Sequence, residues 1–94
     1  MTPDAATPAV PRTEADIDAL RGEIDTLDRQ IVDAVRRRQE VSRAIGAARM
    51  ASGGTKLVHG REMAVIERFG DVLGPEGRQL AMLLLRMGRG RLGH

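Results

Sequence analysis

Two arginines, Arg38 and Arg49, are spaced so that one helix can present both to a single anionic molecule. They are 11 residues apart, which on an α-helix is about 20° around the axis and about 16 Å along it. A guanidinium stays charged in proteins and binds carboxylates or phosphates through paired hydrogen bonds. We therefore expect both side chains to bind one small anion about 10 Å long. The alternative for Arg38 is an ion pair with a carboxylate of a partner chain, which would fix the register of paired helices.

Three further charged residues extend this hypothesis. Arg21 lies 17 residues before Arg38 and about 100° away around the helix, so it cannot reach the same ligand from the same helix. If two long helices pair antiparallel, Arg21 of a second subunit could complete the site; otherwise it is an ordinary solvated residue. Arg61 and Glu62 open a predicted second helix, where free backbone N–H groups favour an anion, although adjacent charges at a helix start are commonly solvated.

The sequence lacks the residue groups that most catalytic and metal sites require. It contains no cysteine, and neither His59 nor His94 has a further His, Cys or Asp at metal-ligand spacing. It contains no nucleophile–base pair, no phosphate-binding loop and no dinucleotide-binding motif. Any catalysis by this chain should therefore need little proton transfer or covalent attack.

The long helix that must carry these arginines is predicted from Thr13 to about Met50. Thr13 can cap its start, with Asp16 near the reciprocal position. Apolar residues recur in steps of three and four, the pattern of a coiled-coil seam that Arg38 interrupts: Ile17, Leu20, Ile24, Leu27, Ile31, Ala34, Val41, Ile45 and Ala48. Such a helix is about 57 Å long. The rest of a 94-residue chain could not cover it, so we expect a second chain to pack along it.

Two shorter helices are predicted after the long one. The stretch "ASGGTKLV" is a loop because of its paired glycines. The second helix runs from about Val58 to Val72, with these apolar residues on its inner side: Val65, Ile66, Phe69 and Val72. Pro75 suits the first turn of a third helix that continues through "QLAMLLLRM". No stretch alternates with period two for long enough to predict a strand, so the predicted fold is all-α.

The two ends of the sequence are predicted to lie outside the helices. Residues 1–12 contain three prolines and no helical period, which is typical of a disordered tail ahead of a single domain at 13–94. The basic, glycine-rich end "GRGRLGH" is predicted to be mobile. No segment resembles a signal peptide or a membrane span, which, with the lack of cysteine, favours a cytoplasmic protein.

The stretch "LRGEIDTLDRQIVDAVRRRQEVSRAIGAARM" resembles the first helix of the all-helical chorismate mutases. That family has the pattern LR-x-x-I-D-x-L-D, a run ending in an arginine, and a G-x-A-[KR] turn. The resemblance continues through "VHGREMAVIERF" and covers roughly residues 17–94. The segments "MASGGTKLVHGREM" and "LLLRMGRGRLGH" are similar to the short actinobacterial subclass, which is intracellular and activated by a synthase.

The resemblance implies an intertwined homodimer that rearranges chorismate to prephenate without a cofactor, in phenylalanine and tyrosine biosynthesis. Arg38 would bind one substrate carboxylate and Arg21 of the partner subunit the other. Arg49, where many relatives carry lysine, would contact a carboxylate and the ether oxygen. The implied catalytic residues are Arg49, Glu62 and Arg38. The implied substrate-binding residues are Arg21 from the partner subunit, Arg38, Arg49, Thr55, Val58, Arg61 and Glu62, with Glu62 accepting a hydrogen bond from the substrate hydroxyl.

The sequence departs from the family pattern in its third helix. Many relatives place a glutamine there against the ether oxygen and a serine against a carboxylate, but the matching residues here are Leu92 and Gly88. In the short subclass, activity is low until the mutase docks on 3-deoxy-D-arabino-heptulosonate 7-phosphate (DAHP) synthase through the C-terminal segment of the mutase. The resemblance therefore implies this synthase as a partner that contacts "GRGRLGH".

Three alternatives remain open from the residues. An isochorismate pyruvate lyase would use the same fold and a similar set of arginines. A DNA-binding helix could place "RRR" at 36–38 against phosphates, but the net charge of only +2 and the lack of Tyr and Trp oppose this. A purely structural coiled-coil dimer would gain stability when Arg38 is replaced by leucine. Neither nucleic acid nor a membrane is the expected partner.

Overall fold

The structure, a computed structural model, describes residues 7–54 and 58–90. It contains three helices: α1 (Glu14–Ala51), α2 (His59–Leu73) and α3 (Pro75–Arg89). These helices confirm the predicted all-α architecture of one long and two shorter helices. Within the described ranges there is no strand. No helix among the described residues is long and apolar enough to span a membrane.

The start of α1 is fixed by the predicted cap. The Thr13 hydroxyl accepts a hydrogen bond from the Asp16 N–H at 3.1 Å, and the Asp16 carboxylate accepts one from the Arg12 N–H at 3.0 Å. These bonds satisfy N–H groups that have no partner within the helix. At the other end, the Gly54 N–H donates to the Arg49 carbonyl at 2.7 Å, and Gly53 has a φ of 86°. A glycine is required at that position because other residues rarely adopt a positive φ.

The chain divides into two compact units, Met1–Val32 and Asp33–His94. In the first unit, the part of α1 up to Val32 carries three seam residues that remain exposed: Ile24 at 54%, Leu27 at 48% and Ile31 at 59%. No residue of α1 (Glu14–Ala51), all of it described, is buried. The apolar seam of this helix is therefore present but uncovered in the single chain.

The second unit contains the remainder of α1 together with α2 and α3. Its buried apolar residues are Val65, Ala81 and Leu84. Gly74, with a φ of 80°, joins α2 to α3, and its N–H donates to the Gly70 carbonyl at 2.8 Å. Contacts between Gly77 and Phe69 near this turn, and between Arg89 and Glu62 far from it, show that α2 and α3 are antiparallel.

The inward face of α2 differs in part from the prediction. Val65 is buried and Ile66 and Phe69 are half-buried, but Val72 is 77% exposed. The turn at Gly74 brings α3 against Phe69 and Leu73. Val72 is three residues after Phe69 and one residue, or about 100° around the helix, before Leu73. Its side chain therefore lies to one side of the contact that Phe69 and Leu73 make with α3.

The C-terminal segment also differs from the prediction. Gly88 and Arg89, expected in a mobile tail, form the last turn of α3, and Gly88 is buried. The helix ends one residue later at Gly90, whose φ is 69° and whose N–H donates to the Met87 carbonyl at 3.3 Å. The helix continues through Gly88 because this glycine lies against Ser42 of α1. Residues 91–94 of the predicted tail lie outside the described residues.

Replacing Gly77 by alanine should destabilise the fold. A Cβ there would lie 2.5 Å from the Phe69 carbonyl oxygen and 2.6 Å from the Leu73 Cβ, so the two helices would have to separate. We expect a loss of about 1–3 kcal/mol in the free energy of unfolding, measured by urea denaturation at one protein concentration. Gly22→Ala is the control, because a Cβ at Gly22 meets nothing within 4 Å and alanine favours a helix interior. Equal losses in the two variants would contradict this account of the α2–α3 contact.

Candidate active site

A cleft of about 770 Å³ lies in the second unit, between the later part of α1, the start of α2 and the end of α3. The described residues that line it all lie between Ala34 and Arg89. Its charged residues are six arginines and one acid: Arg37, Arg38, Arg43, Arg49, Arg61, Arg89 and Glu62. Six positive charges against one negative leave five in excess. A cleft of this size and charge suits a small anion with more than one negative group.

Arg38 lines this cleft from α1. Its Nη1 donates a hydrogen bond to the Leu84 carbonyl oxygen of α3 at 3.3 Å, and the residue is half-buried. An arginine has five N–H donors in a planar fork, so this bond holds the guanidinium in place and leaves other donors for a ligand. The seam residue that the sequence singled out therefore faces the cleft within its own chain.

Arg49 and Arg61 line the same cleft, as the sequence predicted. Arg49 is in the last turn of α1, where a positive charge also interacts favourably with the helix dipole. Arg61 lies in the first turn of α2. Val58, the N-cap residue of that helix, has an extended backbone (φ −116°, ψ 99°) and also lines the cleft. The Val58 carbonyl accepts a hydrogen bond from the Glu62 N–H at 3.0 Å. Thr55, the other predicted loop residue, lies outside the described residues.

Glu62 lines the cleft and forms an ion pair that the sequence analysis did not predict. Its Oε2 accepts a hydrogen bond from Arg89 Nη1, and both side chains are largely buried, with 19% and 20% of their surface exposed. Arg89 was missed because "GRGRLGH" was interpreted as a mobile tail. Helical spacing could have indicated that Arg89 belongs to the cleft, since it follows Leu85 by four residues and both residues line the cleft.

Ser42 is a second cleft residue that the sequence analysis missed. It is half-buried on α1, one turn after Arg38. A Cβ on Gly88 would lie 2.7 Å from Ser42 Oγ and 3.6 Å from Arg38 Nη1. Gly88 therefore faces the side chain of a serine on α1.

Arg21 is not among the described residues that line the cleft. It belongs to the first unit, whereas all described cleft residues come from the second. Its guanidinium lies 4.0 Å from the Asp18 carboxylate, and both side chains are 72% exposed. An ion pair this exposed contributes little to stability. Its prediction as a residue supplied to a second subunit stays a prediction.

Comparisons with known proteins identify the same family as the sequence motifs. The sequence model of the family described as chorismate mutase type II matches residues 20–81. The intracellular chorismate mutase of Mycolicibacterium smegmatis is 70% identical over 79 residues, which cover 84% of this chain and 76% of that protein. The intracellular chorismate mutase of Mycobacterium tuberculosis is 68% identical over 79 residues, covering 84% of this chain and 74% of that protein.

One solved structure is similar over most of the chain. It is a non-covalent complex of DAHP synthase and chorismate mutase from Corynebacterium glutamicum with a bound transition-state analogue. The matched chain has a TM-score of 0.80 and 56% sequence identity, and the match covers 85% of this chain and 96% of that one.

Proposed function

This chain belongs to the type II family of chorismate mutases, and we propose that it rearranges chorismate to prephenate in the arginine-lined cleft. The observation that carries this proposal is the convergence of Arg38, Arg49 and Arg61 on one cleft that contains a single acid, Glu62. Chorismate is a dicarboxylate, so a surplus of fixed positive charge suits it. The family acts in aromatic amino acid biosynthesis, and the curated relatives are named intracellular, in agreement with the cytoplasmic location expected from the sequence.

The rearrangement is a pericyclic [3,3] shift that needs neither an acid nor a base. The C–O bond breaks ahead of C–C bond formation, so negative charge grows on the ether oxygen. A cation fixed beside that oxygen binds the transition state more strongly than the substrate and lowers the barrier. We assign this role to Arg49, at the end of α1.

The remaining residues of the cleft orient the substrate. Arg38 binds one carboxylate with the guanidinium donors that its bond to the Leu84 carbonyl leaves available. Arg61 adds positive charge, Glu62 accepts a hydrogen bond from the substrate hydroxyl, and Val58 lines the loop side. The resemblance assigns Thr55 to the same side. Holding the flexible enolpyruvyl group over the ring removes part of the entropic barrier.

The proposal includes an intertwined homodimer. It is supported by the uncovered apolar seam of α1, whose residues Ile24, Leu27 and Ile31 are 54%, 48% and 59% exposed. Apolar surface of this length is stabilised when a second copy covers it. In such a dimer, Arg21 of the partner subunit would supply a cation for the second carboxylate of the substrate.

The direct test is to incubate the purified chain with chorismate and to follow the loss of its absorbance. Prephenate should appear in equal amount. Release of pyruvate and salicylate when isochorismate is supplied instead would favour the lyase alternative. If chorismate is not consumed by the chain alone or together with its synthase partner, the proposed function is wrong.

We also propose that a DAHP synthase binds this chain and raises its activity. The similar Corynebacterium glutamicum chain is in a complex with that synthase. Gly88 lines the cleft at the position that the resemblance matches to a serine, and Leu92, which lies outside the described residues, stands in the sequence at the position matched to a glutamine. A mutase whose third helix supplies fewer hydrogen-bond donors to the substrate gains most activity from a partner that rearranges its active site.

Deleting residues 91–94 should abolish activation by the synthase. The deletion begins after Gly90, so it leaves α3 and its terminal hydrogen bond intact. Turnover of chorismate should be measured for the full and the shortened chain, each with and without the synthase of the same organism. We expect similar basal rates and stimulation of the full chain only. Unchanged stimulation of the shortened chain would show that docking does not use this segment.

A further inference from the structure

Arg89 is the one cleft arginine, among the described residues, that is ion-paired with the cleft's single acid. It lies at the last position of α3 and Glu62 in the first turn of α2, so the pair joins the two helices at their end farthest from the Gly74 turn. The sequence motifs of the family, as described above, give this position no role. Its place in the cleft is therefore unexplained by the proposed chemistry.

The glycines on both sides fix the position of Arg89. Gly88 is buried against Ser42, so α3 approaches α1 closely just before Arg89. Gly90 has a φ of 69°, which ends the helix just after it. The backbone of Arg89 is thus held between a close helix contact and a turn, and its side chain is directed to Glu62.

The hydrogen bonding of this ion pair is incomplete among the described residues. Arg89 Nε is buried and has no hydrogen-bond partner among the described residues, which costs free energy in a folded protein. Arg89 Nη1 binds Oε2 of Glu62, and no side-chain hydrogen bond to Oε1 is found within the described ranges. Among the described residues, Arg89 therefore holds one carboxylate oxygen and leaves the acceptor capacity of the other unused.

Glu62 adds a negative charge to a cleft that must bind an anion, and Arg89 balances that charge. A lone carboxylate in this cleft would pair with Arg38, Arg49 or Arg61, and each such pair would occupy a cation that an anionic substrate needs. It would also repel the two negative charges of the substrate. An arginine that is already paired with Glu62 reduces both effects.

We propose that Arg89 is a positioning residue, which neutralises Glu62 and holds its carboxylate so that one oxygen accepts a hydrogen bond from the substrate hydroxyl. The inference rests on the proposed function, because it assigns Glu62 that role. Arg89 acts through Glu62 and does not itself contact the substrate.

The test is a double-mutant cycle on the full chain, with Arg89→Gln in the wild-type and Glu62→Gln backgrounds. In the wild-type background we expect kcat/KM to fall about tenfold, mainly through a higher KM, since a charge-assisted hydrogen bond is lost. In the Glu62→Gln background, Arg89→Gln should change kcat/KM less than about twofold. Titration calorimetry with a transition-state analogue of the rearrangement supplies the same comparison if Glu62→Gln turns over too slowly.

Two further variants separate positioning from folding. Arg89→Lys keeps the charge and should recover kcat/KM to within about threefold of wild type. Arg86→Gln removes an exposed arginine from the same last turn of α3 and should leave both KM and kcat unchanged. The unfolding midpoint of each variant is measured at the same protein concentration.

An equal loss from Arg89→Gln in both Glu62 backgrounds would overturn the inference, as would an unchanged KM in the wild-type background. Both results leave the proposed function intact, provided that the wild-type chain converts chorismate to prephenate. A wild-type chain that does not consume chorismate would contradict the proposed function itself, so the two failures are distinguishable.

Discussion

Replacing Arg49 by alanine should lower kcat by about 100-fold or more while the assembly of the protein is unchanged. Arg49 is exposed at the end of α1 and lines the cleft, so its removal leaves no buried partner unpaired. The expected loss is about 3 kcal/mol of transition-state stabilisation, the typical cost of removing a group that stabilises a developing oxyanion. Steady-state kinetics with chorismate provide the measurement.

Two matched variants make this result specific. Arg49→Lys keeps a positive charge near the ether oxygen and should retain most of the activity, since many relatives carry lysine there. Arg36→Ala removes an exposed arginine of the same helix that does not line the cleft, and it should leave kcat unchanged. Near-normal turnover by Arg49→Ala would remove this residue from the mechanism.

Two inactive variants, Arg21→Ala and Arg38→Ala, should restore activity when they are mixed. Each variant alone should lose at least about 50-fold in kcat/KM, because a substrate carboxylate loses its charged partner. In a hybrid dimer, one site combines the intact Arg38 of one chain with the intact Arg21 of the other. If subunits exchange freely, half of the dimers are hybrids with one complete site each, so about one quarter of wild-type activity should return.

The matched control is a mixture of Arg38→Ala and Arg49→Ala. These two residues line one cleft within the same chain, so a hybrid dimer of these variants contains no complete site. The mixture should remain as inactive as its components. Recovery in this mixture, or none in the Arg21→Ala and Arg38→Ala mixture after exchange is confirmed by native mass spectrometry, would contradict a site shared between subunits.

The sequence predicted those parts of the fold that local signals specify. Thr13 and Asp16 cap α1 as expected, and Pro75 begins α3, because capping and proline geometry depend on neighbouring residues alone. The pattern of charges on α1 also placed Arg38 and Arg49 on one cleft, since helical spacing fixes which side chains share a face.

The failures come from contacts between helices. A glycine near a helix end is typical of a terminus, but Gly88 lies inside α3 because Ser42 packs against it. That contact depends on residues far apart in the sequence, and the helix continues past it to Arg89 and its ion pair with Glu62. The exposure of Val72 also depends on a contact between helices, because Gly77 of α3 lies against Phe69 and Leu73.

In the proposed mechanism Arg38 binds a carboxylate of the substrate, and a crystal structure of the protein with a transition-state analogue of the rearrangement would show whether it does. We expect the Arg38 guanidinium nitrogens at about 2.7–3.2 Å from a carboxylate of the analogue, with Arg21 of the partner subunit at the other carboxylate. An Arg38 side chain that faces bulk water, or that pairs with a protein carboxylate while the analogue is bound, would contradict it.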